Sequence, residues 1–232
     1  RQPARITINM ASSSLDSVLL LLDADSRYLE MDDDSGSGCD ALITRELEAG
    51  TYAILANTYQ APSACGANKG PYRLQVSYQS TEMPLLGRSV SLQGQVAAAG
   101  FRSGITTDGG TTWRNVIGAG QRFDAIGRID IDPLHVGLPG FIVTAVVMED
   151  GQLLIKHPQL GFISYDPATT PSQLGAVKTL AATETVDILR GATGAELGFS
   201  RIAVGFMVGY GLLGDPQELY FHAEPISLVI NP

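Results

Sequence analysis

The densest chemistry in this chain sits in one short run, Asp32-Asp33-Asp34-Ser35-Gly36-Ser37-Gly38-Cys39-Asp40. Carboxylates this close repel one another unless a hard divalent cation bridges them, and Gly36 and Gly38 let the backbone fold round such an ion. With Asp16 as a further oxygen donor, Asp32, Asp33, Asp34 and Asp40 make a candidate calcium site. The competing reading is a solvated acidic turn, which Asp and Gly favour with no metal at all. The spacing is not that of an EF-hand loop, because no Glu stands at the last ligand position.

Cys39 and Cys65 are the two cysteines, both in stretches rich in Gly, Ser, Ala and Asn. A thiol there has no apolar core to join, and a disulfide between the two suits an oxidising compartment. The alternative is a pair of free thiols in a cytosolic protein. Two cysteines and the distant His135, His157 and His222 lack zinc-ligand spacing. Nucleophilic catalysis needs an activating base and an oxyanion site, and the chain has no Gly-x-Ser-x-Gly elbow and no His-Glu-x-x-His. Gly36-Ser-Gly38 is too short and too acidic to cradle phosphate. Asp130 with Asp132, and Glu149 with Asp150, are carboxylate pairs of the type glycoside hydrolysis uses. Asp130 and Asp132 alternate with Ile129 and Ile131, however, and share a strand face as a solvated edge would. No catalytic residue is assigned, and the expectation is a protein that is not an enzyme.

Composition narrows the partners. The 24 acidic residues against 15 basic leave a net charge of -9, which disfavours nucleic acid and anionic lipid, since phosphate contacts need concentrated Lys and Arg. No apolar run approaches the ~20 residues of a membrane-spanning helix, so no membrane span is expected. Without a targeting segment at the start, the chain is cytosolic or its leader has been removed. With 44% apolar residues in 232, a sizeable core is within reach.

The elements that must position these residues are strands. Alternating or β-branched runs bounded by Gly, Pro, Asn and Asp recur at 5–10, 17–22, 51–56, 72–78, 89–96, 126–131, 141–148, 153–156, 186–189, 202–208 and 225–230. That cadence predicts an all-β chain of two tandem β-sandwiches, jelly-roll-like, with little helix. One or two helical turns are expected at 171–180, where Thr170 precedes Pro171 and Leu174, Val177 and Leu180 fall about a turn apart. The polar segment 79–84 ends in Pro and separates an Asp-clustered stretch from a Gly-rich one; it divides the chain into domains 1–80 and 85–232.

In order, the first domain reads Leu15-Asp16, the apolar run 17–22, Asp23-Ala-Asp25, the acidic run, Leu47-Glu-Ala-Gly50-Thr-Tyr52 and Gly70-Pro-Tyr72-Arg-Leu74. This order resembles the bacterial pre-peptidase C-terminal (PPC) domain, a small β-sandwich appended to secreted proteases and other exported proteins. The resemblance covers 5–78, about a third of the chain. It implies an accessory role in secretion, folding or substrate attachment, and, as in collagen-binding relatives, calcium sites. Family members have further strands before the position of Arg5. The resemblance therefore predicts an open sheet edge at the strand 5–10, whose Ile6 and Ile8 alternate with Thr7 and Asn9. Such an edge invites strand addition by another subunit.

In the second domain, Thr106-Thr-Asp108-Gly-Gly110-Thr-Thr112-Trp113 resembles the Asp-box of sialidases and other β-propellers. A single copy reads as a stabilised hairpin in which Asp108 accepts turn amides, Gly110 supplies φ > 0 and Trp113 packs on the sheet. Phe162, Tyr165, Tyr210 and Tyr220 are the candidates for a sugar-binding aromatic row, but each lies in or beside an apolar run, as core residues do. The domain also resembles an unassigned β-domain of exported bacterial proteins through Pro139-Gly140, the segment 205–210 and the segment 220–225, a likeness that carries no activity.

Together these features predict a secreted or cell-surface bacterial protein, extracellular or periplasmic, with a structural or assembly role such as a filament or surface-layer subunit growing as a homo-oligomer by strand addition. The alternative is an accessory binding module of an exported enzyme, attaching it to an extracellular collagen-like protein or polysaccharide.

Overall fold

The computed structural model describes residues 2–59, 69–165, 176–198 and 202–231. Every regular element among them is a β-strand, and the chain divides into two compact units, Arg1–Ser80 and Thr81–Pro232.

In the first unit, β1 (Ala4–Ala11) lies between β4 (Ala41–Leu47) and β6 (Arg73–Ser80), antiparallel to both, with Ile8 opposite Ile43 on one side and Val76 on the other. A second sheet has β2 (Ser17–Leu22) flanked by β3 (Tyr28–Asp32) and β5 (Ala53–Thr58). Period-two alternation decides which face each side chain takes. Ile8 and Met10 of β1 and Ile43 of β4 meet Leu19 and Leu21 of β2 in one core, while Thr7 and Thr44 pair through their hydroxyls on the opposite face.

The open edge expected at residues 5–10 is not there. Both sides of β1 are filled within its own chain, from Ala4 opposite Leu47 to Ala11 opposite Arg73. The strand that closes it, β6, comes more than sixty residues later, and local alternation says nothing about which distant strand returns. Strand addition at β1 by another subunit is therefore excluded.

The second unit packs two sheets face to face. One runs β16 (Thr183–Ala192), β11 (Phe123–Asp130), β8 (Gly100–Thr106), β9 (Trp113–Arg114). The other is nine-stranded. Its spine is β10 (Val116–Gly118), β19 (Ile226–Asn231), β17 (Ile202–Leu212), β12 (Pro139–Met148), β13 (Leu153–His157) and β14 (Gly161–Ser164). Off this path, β15 (Lys178–Thr179) pairs with β12, and β18 (Asp215–His222) bridges β17 to β7 (Ser89–Ser91). Phe101, Phe123 and Ile129 from the first sheet and Val204, Phe206 and Leu228 from the second share the core. The other face of β12 carries a smaller cluster of Phe141, Val143, Ala145 and Ile155. Two buried faces explain why β12 is an almost unbroken apolar run.

The expected hairpin from β12 to β13 forms as an Asp150-Gly151 turn, with Gly151 at φ 84° and the Met148 N–H donating to Gln152 O at 2.8 Å. Two expectations change. The strand 89–96 stops at Ser91, and Gly94 takes φ 77°. The helix expected at 171–180 lies partly outside the described residues; within them Lys178–Thr179 is strand β15, held by Pro139 and Gly140, whose sheet hydrogen bonds replace helical ones.

Candidate functional site

The acidic run closes the connection from β3 to β4. Asp32, the last residue of β3, accepts at Oδ2 from the N–H of Ser35 at 3.1 Å and of Leu42 at 2.6 Å. Asp40 accepts at Oδ1 from Ser12 N–H at 2.9 Å, and its main-chain oxygen accepts from Gly36 N–H at 2.8 Å. A Cβ on Gly36 would stand 2.5 Å from that oxygen, so the loop folds this tightly only with glycine there. Asp16, before β2, is buried, and its main-chain oxygen accepts from Tyr59 N–H at 3.0 Å. Asp33 is half-buried and Asp34 exposed. The Asp34 carboxyl is held above its ordinary range, first by partial desolvation and then by the carboxylates of Asp33, Asp16 and Asp32.

The fold thus brings Asp16, Asp32, Asp33 and Asp34 into one electrostatic neighbourhood and turns Asp40 to a main-chain amide. Among the described residues no three His, Cys, Asp or Glu side chains are grouped as metal ligands would be. Ser17 N–H donates to Cys39 O at 3.1 Å, which ties the cysteine to the start of β2. Cys65 lies outside the described residues.

The turn from β8 to β9 has the geometry its residues imply. Asp108 Oδ1 accepts from Thr112 N–H at 2.9 Å and from the Thr106 hydroxyl at 2.8 Å; Oδ2 accepts from the Thr112 hydroxyl at 2.6 Å. Gly110 N–H donates to Thr106 Oγ1 at 2.8 Å, and Gly109 and Gly110 take φ of 71° and 95°. These bonds, the Thr112 hydroxyl foremost, hold the Asp108 carboxyl well below the usual carboxylate range. Trp113 is buried over Gly104, where a Cβ would stand 2.5 Å from the indole. The arrangement is a hairpin clamp whose carboxylate is fully spent on its own turn.

The carboxylate pair Asp130 and Asp132 does not converge. Asp130 is held by Arg128 at 3.1 Å and by the Thr183 hydroxyl at 3.0 Å. Asp132 is buried beyond the end of β11. It accepts from the N–H of Leu134 at 2.9 Å and of Ala98 at 2.6 Å, bonds that hold its carboxyl below the ordinary range.

Sequence reasoning missed an aromatic cluster beside Asp132. Tyr210 and Tyr220 are direct cross-strand partners, both buried, with rings stacked at 5.1 Å. His135 lies 4.9 Å from the Tyr220 ring, with its Nδ1 2.8 Å from the Tyr210 hydroxyl. Burial pushes the Tyr210 phenol up. His135 stands 75 residues or more before the two tyrosines and so leaves no local signal, and the matching positions of Tyr210 on β17 and Tyr220 on β18 emerge only from register. His222 is fully buried; Val208 N–H donates to its Nε2 at 3.0 Å, so Nδ1 carries the proton and donates to Glu224 O at 2.5 Å. Both histidines are hydrogen-bonded structural groups in this geometry.

The nine-stranded sheet also carries a cavity of about 160 Å³ lined by Val143, Ala145, Leu153, Ile155, Met207 and Leu219, with Leu92 and Tyr165 at its margin. Tyr165 is the one exposed member of the four aromatics considered for sugar binding. Such a lining suits apolar groups and offers no charge to orient a polar one. No protein-family model matches this chain, and no curated protein matches it.

Proposed function

We propose that the chain is a non-catalytic module of the bacterial cell exterior that attaches an exported protein to a collagen-like protein or a polysaccharide. The observation that carries this choice is the central place of β1 in its sheet. With β1 paired to β4 and β6, the filament or surface-layer reading loses the strand-addition joint it was built on, and the accessory module is the reading left. It is supported by the likeness of residues 5–78 to the PPC domain. The carboxylate pair Asp130 and Asp132 fits it too, since each is held by groups of the fold.

The same proposal includes calcium at Asp16, Asp32, Asp33, Asp34 and Asp40, and a disulfide between Cys39 and Cys65. Hydrated calcium would relieve the repulsion that Asp34 feels from its neighbours, although Asp32 and Asp40 would have to share oxygens now given to main-chain amides. The test is co-sedimentation of the purified chain with insoluble collagen and with cell-wall polysaccharide, with 2 mM calcium or with chelator (an order-of-magnitude choice, ~10⁻³ M, for extracellular sites). Retention on either solid, strengthened by calcium and accompanied by a higher melting midpoint, is expected. No retention on either solid defeats the attachment reading, and an unchanged midpoint defeats the calcium site.

A further inference from the structure

Strand β2 is apolar on both faces. Leu19 and Leu21 enter the core of the first unit, so alternation sends Leu20 and Leu22 to the opposite face. A solvated sheet face ordinarily carries polar residues at those positions. Register extends the apolar character sideways: Leu20 stands opposite Met31 on β3 and Leu55 on β5, and Leu22 stands opposite Tyr28. Met31 and Leu55 are each 48% exposed and Tyr28 64% exposed. Five apolar side chains therefore form one strip facing away from the core, and Val18, next on the same face, is buried.

Both ends of that strip are acidic. Asp16 lies just before β2, and Asp32 closes β3 with Asp33 and Asp34 following it, so four carboxylates gather at one end. At the other, Asp23 caps the N–H groups of Asp25 and Arg27, each at 2.9 Å, and Arg27 lies 3.6 Å from Asp25. The charge at the second end is thus largely answered locally, whereas the first end keeps its excess.

We propose that this strip, in the calcium-free chain, docks an extended segment of another polypeptide whose alternate side chains are apolar and which carries Lys or Arg where it passes Asp33 and Asp34. Leu20 and Leu22 lie about 7 Å apart along β2 at ~3.3 Å per strand residue, and Met31, Tyr28 and Leu55 widen the strip across β3 and β5, which seats about three residues of such a segment. Charge decides against a second copy of this chain. Turned either way, a copy would bring carboxylates against the Asp33 and Asp34 end with only Arg27 to offset them, and like charges at an interface select against pairing. A basic segment gains from the same arrangement.

This inference rests on the attachment reading and names the chemistry of a protein partner for it. The experiment is selection of a displayed random nine-residue peptide library on the native chain, in chelator, with the double variant Met31→Thr, Leu55→Thr as the comparison. Both positions are half-exposed, and an unchanged melting midpoint confirms that the variant folds. The expected result is enrichment of alternating apolar residues with Lys or Arg toward one end. A synthesised winner should bind the double variant at least ~10-fold more weakly, and a winner with Glu in place of its basic residues should lose about as much, each tenfold being one 1.4 kcal/mol step. Peptides without basic enrichment, no enrichment at all, or equal binding to the variant would overturn the proposal. So would dimerisation of the native chain that Met31→Thr, Leu55→Thr abolishes, which would give the face to a second copy. Failure here leaves retention on collagen or polysaccharide untouched, whereas failure of the attachment reading removes that retention.

Discussion

Asp108 spends its carboxylate on Thr106 and Thr112, partners no more than four residues away. That closeness is why this turn was legible: a short side chain, two hydroxyls and two glycines leave few ways to satisfy the local amides. The acidic run 32–40 was only half legible, because two of its aspartates answer distant amides, Asp32 that of Leu42 and Asp40 that of Ser12, and nothing in their spacing names those donors. Removing the Asp108 charge should destabilise the second unit, and the pH dependence has a definite sign. Its folded-state carboxyl titrates below the ordinary value, which lies near ~4. The stabilisation is therefore complete above that ordinary value and is lost as pH falls below it through the depressed folded value. Thermal melts of the native chain and Asp108→Asn, followed by fluorescence of Trp113, the only tryptophan, should differ most near neutral pH and converge below about pH 4. A difference that stays constant with pH would mean that the charge is not what holds the turn.

At the scale of strands, the pairing of β12 with β17 places Phe141 directly opposite Gly211. A Cβ on Gly211 would overlap the Phe141 ring and stand 3.0 Å from Leu219, and Phe141 is fully buried. Glycine here is a packing choice that lets an aromatic ring lie across the neighbouring strand. Gly211→Ala should cost about 1–3 kcal/mol, the usual penalty for overpacking a filled interior. Gly214, in the turn to β18, has open space where its Cβ would be, and Gly214→Ala should leave stability nearly unchanged. Urea denaturation followed by Trp113 fluorescence separates the two, and equal midpoints for both variants would show that Phe141 can move aside. Strand β1 teaches a related lesson. Its alternation of Ile6 and Ile8 with Thr7 and Asn9 correctly marks a strand with one buried face, yet the same pattern suits an edge and a central position equally well. Edge or centre is a property of neighbours, and β6 as a neighbour was invisible from residues 5–10.

On the scale of the whole molecule, the two units have separate cores, one built round Ile8, Leu19 and Ile43, the other round Phe101, Phe206 and Ile230. The proposed bond from Cys39 to Cys65 belongs to the first unit alone. Its reduction should lower that unit's stability by about 3 kcal/mol through freedom returned to the unfolded chain, lowering the temperature at which the circular dichroism of its strands is lost, while the Trp113 transition stays in place. Alkylation read by mass spectrometry checks the bond itself: both cysteines should take label only after reduction, and labelling of the native chain would remove it. The all-β class followed from sequence alone, because the signals for strands and turns are local: alternation with period two, β-branched runs, and Gly, Asp and Pro where the chain reverses. The tertiary structure alone decided that β6 lies beside β1 and that β10 runs parallel to β19. It also decided that Tyr210 and Tyr220 meet His135, and that Leu20 faces outward among Met31 and Leu55. Backbone hydrogen bonds are the same for any pair of strands, so the choice of partner is made by side-chain packing between residues far apart in the chain, and that packing exists only once the sheets have closed on each other.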